Sequence, residues 1–358
     1  MAESLVLIDT IRKRVLPAFG LPSTVAVAPL SGGLINASFV VDGPTGRLVL
    51  QRVNPIFPPG IHRNIGAVTA ALRLAGLVTP ELVPTADGQQ FLRLGTATPS
   101  MWRILTYVAG VSFDVVAGPV QAHAAGGLVA RFHAALDGLR HEFEGGRAGV
   151  HDTPRHLDHL RSTLAAQGEH RLFPEVVPLG EAIFAAAAAL PPLPAVAPRV
   201  CHGDLKFSNL LFEGPEAPAR DRAVCLVDLD TVGPMALAFE LGDAWRSWCN
   251  RSGEDSVHAD LDLEIFAASL DGYRSGYRGG TGRDLTPDER RALLLGPDWI
   301  SLELSARFAA DALAESYFGW NPALVPTRGE HNLLRAKGQL SLHNSLVRTR
   351  ARRAALLA

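Results

Sequence analysis

Apolar and polar residues alternate along 37–42 and 47–53, and both stretches carry β-branched side chains. That two-residue period predicts strands, and the cluster Asp42-Gly43-Pro44-Thr45-Gly46 between them predicts a turn. A shorter apolar run at 25–30 ends at Ser31-Gly32-Gly33. Two further strand-like runs, 90–95 and 101–108, flank a turn at 96–100. In between, the period lengthens to that of a helix over 61–76, entered through Pro58-Pro59-Gly60 and stopped by Gly76. Residues 1–108 therefore read as a small lobe built on an antiparallel sheet.

Beyond Ala109-Gly110, read as a hinge, helical spacing dominates. From Pro119, a favourable first-turn residue, Val120, Ala124, Leu128, Phe132 and Leu136 fall on one face. Residues 155–190 read as helical with a break near Phe173-Pro174, and Pro191 to Pro198 forms a stiff connector. Short strands are expected at 199–201, 209–213 and 223–228. Helices are expected at 261–278, 286–318 and 330–356, the second opened by the capping box Thr286-Pro287-Asp288-Glu289. Loops 251–260 and 278–286 are expected to be the most mobile. The second lobe spans 109–358, and the fold class is α+β with two lobes.

Composition narrows the function. A chain of 358 residues exceeds one typical domain, and 47% hydrophobic residues suffice for a sizeable core. A net charge of -2 offers no electrostatic case for nucleic acid. Cys201, Cys225 and Cys249 are odd in number and lack metal-ligand spacing, which points to a reducing compartment without disulfides. The apolar run 182–190 is too short to cross a membrane, and residues 1–21 lack a signal-peptide pattern. The expectation is a cytoplasmic protein, monomeric or a weak homodimer, whose partner is a small molecule.

The chemistry sits in Cys201-His202-Gly203-Asp204-Leu205-Lys206-Phe207-Ser208-Asn209 and in Leu226-Val227-Asp228-Leu229-Asp230. An acid two residues after a histidine, an asparagine five residues later and a further acid closing the next apolar run is the spacing that phosphoryl transfer uses. Asp204 is the candidate base, and Asn209 and Asp228 supply the oxygen ligands that magnesium prefers. Strand alternation turns Asp230 the same way as Asp228, so it either joins the metal set or orients the loop. Lys206 is one of only three lysines, with Lys13 and Lys337. It is placed to offset charge on the transferring phosphoryl group.

These motifs resemble the aminoglycoside phosphotransferase and choline kinase group. Inside that group, Gly32-Gly33-Leu34-Ile35-Asn36, Leu50-Gln51-Arg52-Val53-Asn54, His151-Asp152-Thr153-Pro154-Arg155, Asp228 to Pro234 and His331-Asn332-Leu333 are similar to N-acetylhexosamine 1-kinases. The likeness runs over roughly residues 25–345. It implies a two-lobed protein-kinase-like fold with the active cleft between the lobes, and ATP with Mg2+ as cofactors. ATP is then expected at Ser31, Gly32, Gly33, Asn36 and Gln51, with adenine on the main chain of Thr106, Tyr107 and Val108. Ser31-Gly32-Gly33 is equally explained by an ordinary hairpin turn. The implied acceptor is the anomeric hydroxyl of an N-acetylhexosamine, held by Arg307 and Tyr317. His151, Asp243 and Arg246 are further candidates. His151 also belongs to a helix start, Arg307 to a Glu303–Arg307–Asp311 charge ladder, and Asp243 is expected to anchor the catalytic loop from below.

Two rivals stay open. An aminoglycoside or amino alcohol kinase would need an acidic pocket. A catalytically inactive nucleotide-binding protein is suggested by one departure from the kinase pattern. Gln51 stands where kinases of this fold carry a lysine, and no acid between residues 53 and 80 replaces its partner.

Overall fold

The computed structural model describes residues 2–30, 35–44, 46–96, 99–145 and 150–358. Ser31, Gly32 and Gly33, the expected glycine loop, lie outside the described residues. The chain divides into two compact units. The first comprises Met1–Gly110, Gly138–Gly146 and Cys225–Gly233, and the second Val111–Asp137, Arg147–Val224 and Pro234–Ala358.

In the first unit, α1 (Ala2–Thr10) leads through a π-helical turn (Ile11–Val15) into the short α2 (Leu16–Ala18). Then come β1 (Val27–Pro29), β2 (Ala37–Gly43), β3 (Gly46–Val53), α3 (Ile61–Leu74), β4 (Leu82–Val83), β5 (Leu92–Leu94) and β6 (Ser100–Thr106). The sheet order is β1-β2-β3-β6-β4, with β5 also on β6, and every pairing is antiparallel. One face of it is apolar: Phe39, Val41, Leu48, Leu50, Trp102 and Ile104 bury against Ile11, Val15, Leu16 and Phe19. The other face carries polar side chains where the register sets Ser38 opposite Gln51, and Gln51 opposite Arg103. Arg52 is exposed, as alternation requires.

On α3, His62 is fully buried, stacked on Phe91 with ring centroids 4.4 Å apart, and its Nδ1 donates to the Pro59 carbonyl at 2.9 Å. Burial disfavours the imidazolium and pushes the pKa of His62 down to about 4. The unfolded chain then takes up a proton at this position near pH 6.5 that the folded protein refuses. Stability contributed here is complete above about pH 6.5 and falls as the pH drops toward 4, by about 3 kcal/mol in all. Denaturant titrations at a series of pH values check this: the loss between pH 6.5 and 4 should shrink by about that amount in His62→Gln.

The second unit contains α4 (Pro119–Ala135), α5 (Thr153–Ala166), α6 (Phe173–Ala189), β7 (Arg199–Cys201) and β8 (Leu210–Phe212). After β9 (Ala223–Leu226) and β10 (Gly233–Met235) follow α7 (Leu237–Trp248), α8 (Leu263–Thr281), α9 (Pro287–Ala314) and α10 (Arg328–Leu357). Helix α8 continues to Thr281, so the expected loop at 278–286 begins only after it. The approach of α4 to α8 depends on missing side chains. A Cβ on Gly126 would lie 2.0 Å from the Ser269 carbonyl oxygen, and one on Gly272 2.0 Å from that of His123. Among the described residues no helix is long and apolar enough to cross a membrane.

Candidate active site

The loop expected to be catalytic lies between β7 and β8. Gly203 has φ +83°, a left-handed conformation that glycine tolerates best, so the middle residue of His-Gly-Asp has a backbone reason to be there. Below the loop, the Glu240 carboxylate on α7 accepts the His202 amide at 2.7 Å and the Gly203 amide at 3.0 Å. Its Oε1 also lies 3.4 Å from His133 Nε2, while His133 Nδ1 meets the Tyr273 hydroxyl at 2.9 Å. Burial alone would raise the Glu240 carboxyl. The hydrogen bond and charge of His133, His202 and the Gly203 amide reverse that and hold it below the usual carboxylate range. Trp248 closes the support by donating Nε1–H to the Leu205 carbonyl at 2.7 Å. The anchor of the loop is therefore Glu240, not Asp243. One helical turn away, Asp243 Oδ1 accepts from Arg246 Nε at 2.9 Å, and Arg246 continues to Glu254.

Held in this way, the loop presents Asp204, Lys206 and Asn209 together. Asn209 Nδ2 donates to the Asp204 carbonyl at 2.8 Å and to its Oδ2 at 3.1 Å, and Lys206 Nζ lies 3.2 Å from the same oxygen. With its nitrogen committed to Asp204, Asn209 is oriented to offer its amide oxygen, a hard donor that suits magnesium. Cys201, next to the loop, is fully buried and burial pushes its thiol up, so it is an inert core residue.

In the first unit, Asp228 has φ 65° and ψ 61°, and a single 3₁₀ turn (Leu229–Thr231) follows it. Asp230, read from sequence as metal ligand or loop orienter, has its carboxylate taken up by protein groups. Asn36 Nδ2 donates to Oδ2 at 2.6 Å, and Arg103 Nη1 lies 2.6 Å from Oδ1. That second contact is an ion pair whose alignment falls outside hydrogen-bond geometry. Burial would raise the Asp230 carboxyl, but Arg103 and Asn36 overcome it and hold the group low. Gln51 does not stand alone in its lysine-like position: its Oε1 accepts from Arg103 Nε at 2.8 Å and Nη2 at 2.7 Å. Thr106 ends β6 with its Oγ1 accepting the Glu81 amide at 2.9 Å, and Tyr107 and Val108 follow, half-buried.

Of the expected acceptor residues, His151, Arg307 and Tyr317 are linked through contacts in the second unit, whereas Asp243 and Arg246 pair with each other. His151 Nδ1 is 3.2 Å from Glu303 Oε1, and its ring stacks on Phe239 at 5.1 Å. Thr153 donates to Glu303 Oε2 at 2.8 Å, while the N-cap of α5 is Asp152, which accepts the Arg155 amide at 3.1 Å. Arg307 Nη1 lies 3.9 Å from Glu303 Oε1, and its guanidinium sits 5.9 Å and 5.4 Å from the ring centres of Tyr317 and Phe318. Asp311 is no rung of a ladder. It turns away from Arg307 to accept the amides of Ser316, Tyr317 and Phe318 and the Asn332 side chain. His331, fully buried, accepts the Asn321 amide on Nδ1 and donates Nε2–H to Asp255 at 2.8 Å. The His331-Asn332 box thus shapes the segment that carries Tyr317. Glu303, the hub of the cluster, was visible in the sequence only as a helix-surface charge.

A kinase-like fold with an antiparallel sheet in one lobe and helices in the other, carrying a His-Gly-Asp loop, defines a phosphotransferase. The chain belongs to the phosphotransferase enzyme family, whose profile matches residues 26–281. Among solved structures it is similar to a microcompartment-associated aminopropanol kinase (16% identity, 96% of this chain and 98% of that one, TM-score 0.62). It is also similar to the amicoumacin kinase hAmiN in complex with AMP-PNP, Ca2+ and Ami (11%, 95% and 96%, TM-score 0.58). A third is an aminoglycoside phosphotransferase from Alicyclobacillus acidocaldarius (15%, 93% and 96%, TM-score 0.56).

Proposed function

We propose that the protein transfers the γ-phosphoryl group of ATP to the anomeric hydroxyl of an N-acetylhexosamine. Asp204 takes the hydroxyl proton as the new oxygen–phosphorus bond forms and the bond to the bridging oxygen of ADP breaks. Lys206, beside Asp204, offsets the charge on the phosphoryl oxygens. Asn209 and Asp228 are the magnesium ligands in this reading, and the ion when bound neutralises the triphosphate. The main chain of Thr106, Tyr107 and Val108 takes the adenine.

The observation that carries the choice of acceptor is the meeting of His151 and Arg307 at buried Glu303, with the exposed ring of Tyr317 5.9 Å from the Arg307 guanidinium. A cation, an imidazole and an aromatic face suit a neutral polyol with an acetamido group. The acids that a cationic acceptor would need are matched inside the protein. Glu240 serves the catalytic loop, Glu303 serves His151 and Thr153, Asp311 serves three amides, Glu315 pairs with Arg171, and Asp243 pairs with Arg246. That disfavours an aminoglycoside or amino alcohol.

Two tests separate the readings. Turnover should vanish when the anomeric oxygen is blocked as a methyl glycoside and survive removal of the primary hydroxyl; activity confined to aminoglycosides would refute the acceptor. Arg307→Ala should lower kcat/KM for the sugar at least ~10-fold, as expected for losing a hydrogen bond to a charged group, with little change in Tm. A residue that merely balanced Glu303 would show the reverse, unaltered kinetics and a small loss of stability.

A further inference from the structure

The polar face of the first unit's sheet holds a closed chain of contacts. Ser38, Gln51 and Arg103 stand in register on β2, β3 and β6. Gln51 Nε2 donates to the Ser38 hydroxyl at 3.1 Å, and its oxygen holds Arg103 through two donors. The remaining arm of the Arg103 fork reaches Asp230, and both side chains of that pair are 1% exposed. Asn36 fixes the opposite carboxylate oxygen and is itself held, its Oδ1 accepting the Asn54 amide at 2.9 Å. Two segments, at Asn36 and at Arg103, reach one carboxylate two residues beyond Asp228, and a third, 51–54, holds both of them.

We infer that Arg103 and Asp230 are positioning residues for the metal loop, and that Gln51 acts on Arg103 rather than on the nucleotide. The inference rests on Asp228 as a magnesium ligand. Three observations lead to it. A cation on Asp230 would share its carboxylate with a guanidinium already 2.6 Å away, whose like charge opposes it. Asp228 has a left-handed backbone without being glycine, a conformation that persists where the surroundings enforce it. The enforcing group is at hand, because fixing Asp230 fixes the turn that starts at Asp228. Lastly, a buried ion pair is a poor device for stability alone, since apolar pairs of similar volume serve as well. Geometry is what it supplies, and the planar Arg fork can bridge Gln51 and Asp230 as a lysine could not. The paired lysine and glutamate expected of the fold are thus replaced by an arginine on the neighbouring strand and an acid on the loop itself.

Amide hydrogen exchange over residues 227–232 in the metal-free protein tests this, read beside the magnesium concentration that gives half-maximal turnover. Exchange reports on the loop whatever the acceptor proves to be, so failure of the sugar assignment leaves the result interpretable. Gln51→Leu removes one anchor of Arg103 without stranding a buried charge. It should speed exchange at 227–232 by at least ~10-fold and leave the amides of β3 unchanged. It should also raise the half-activating magnesium concentration ~10-fold or more, as loss of an outer-shell partner does. The double variant Arg103→Met/Asp230→Leu, which removes both charges, should fold and show the same two shifts. Parent-like exchange and magnesium response in that double variant would overturn the inference. So would a Gln51→Leu variant whose nucleotide KM alone rises.

Discussion

Asp204→Asn should lower kcat by at least ~10²-fold while ATP still binds, because a positioned general base typically contributes ~10²–10⁴-fold. Asparagine copies the shape of the side chain, so the loop has no steric reason to move. What disappears is the proton acceptor and half of a local charge pair. Lys206, 3.2 Å from Oδ2, loses its counter-charge, and the Asn209 amide loses an acidic acceptor. Asn209 stays tied to the site through the Asp204 carbonyl at 2.8 Å. The loss should therefore fall on kcat more than on the nucleotide KM. Single-turnover kinetics with a fluorescent nucleotide as binding probe would check it, and near-parent turnover would remove Asp204 from the mechanism.

The second large effect is expected at a residue that touches no substrate. Glu240→Ala withdraws one carboxylate from the buried His202 amide, the half-buried Gly203 amide and the buried His133 imidazole. Unsatisfied donors of this kind cost about 1–3 kcal/mol each, so the two amides alone should cost about 4 kcal/mol of stability. Activity should fall as well, since His202 and Gly203 carry Asp204. Glu240→Gln keeps one oxygen acceptor and turns an amide nitrogen toward the other backbone N–H, so it should fall between the two. Acid should imitate the mutation. The folded Glu240 carboxyl lies below its ordinary value, so its contribution is complete above the usual carboxylate range and is lost as the pH falls through the folded value. Chemical denaturation of the three proteins, each with its kcat, measures both effects.

How far the sequence carried can be judged residue by residue. The strands of the first sheet and the long helices were legible because their periods are local. So was the Asp204-Lys206-Asn209 group, since five residues of loop bring it together. Legibility ended where partners come from afar. Arg103 sits in the apolar run Ser-Met-Trp-Arg-Ile-Leu, and its partner Asp230 lies in another segment altogether. A lone charge in an apolar strand, alternating in phase with Gln51, was the available signal that a buried acid must exist. Glu240 and Asp243 occupy one helix and differ only in facing, which a sequence fixes once the helix is recognised, and α7 was not anticipated. Neither were α1 and α2, whose apolar residues complete the first sheet, nor the two-residue strand β4, too short for any period. The His331-Asn332 box stood out as a motif, but its work through Asp311 and Asp255 depends on the packing of α9, α10 and the 251–260 loop.

The acceptor is the centre of the account, and phosphorus NMR of the product tests it most directly. With ATP, magnesium and N-acetylglucosamine or N-acetylgalactosamine, the account predicts an anomeric sugar 1-phosphate appearing in step with ADP. A 6-phosphate, or ADP formed only with an aminoglycoside or amino alcohol, would contradict it.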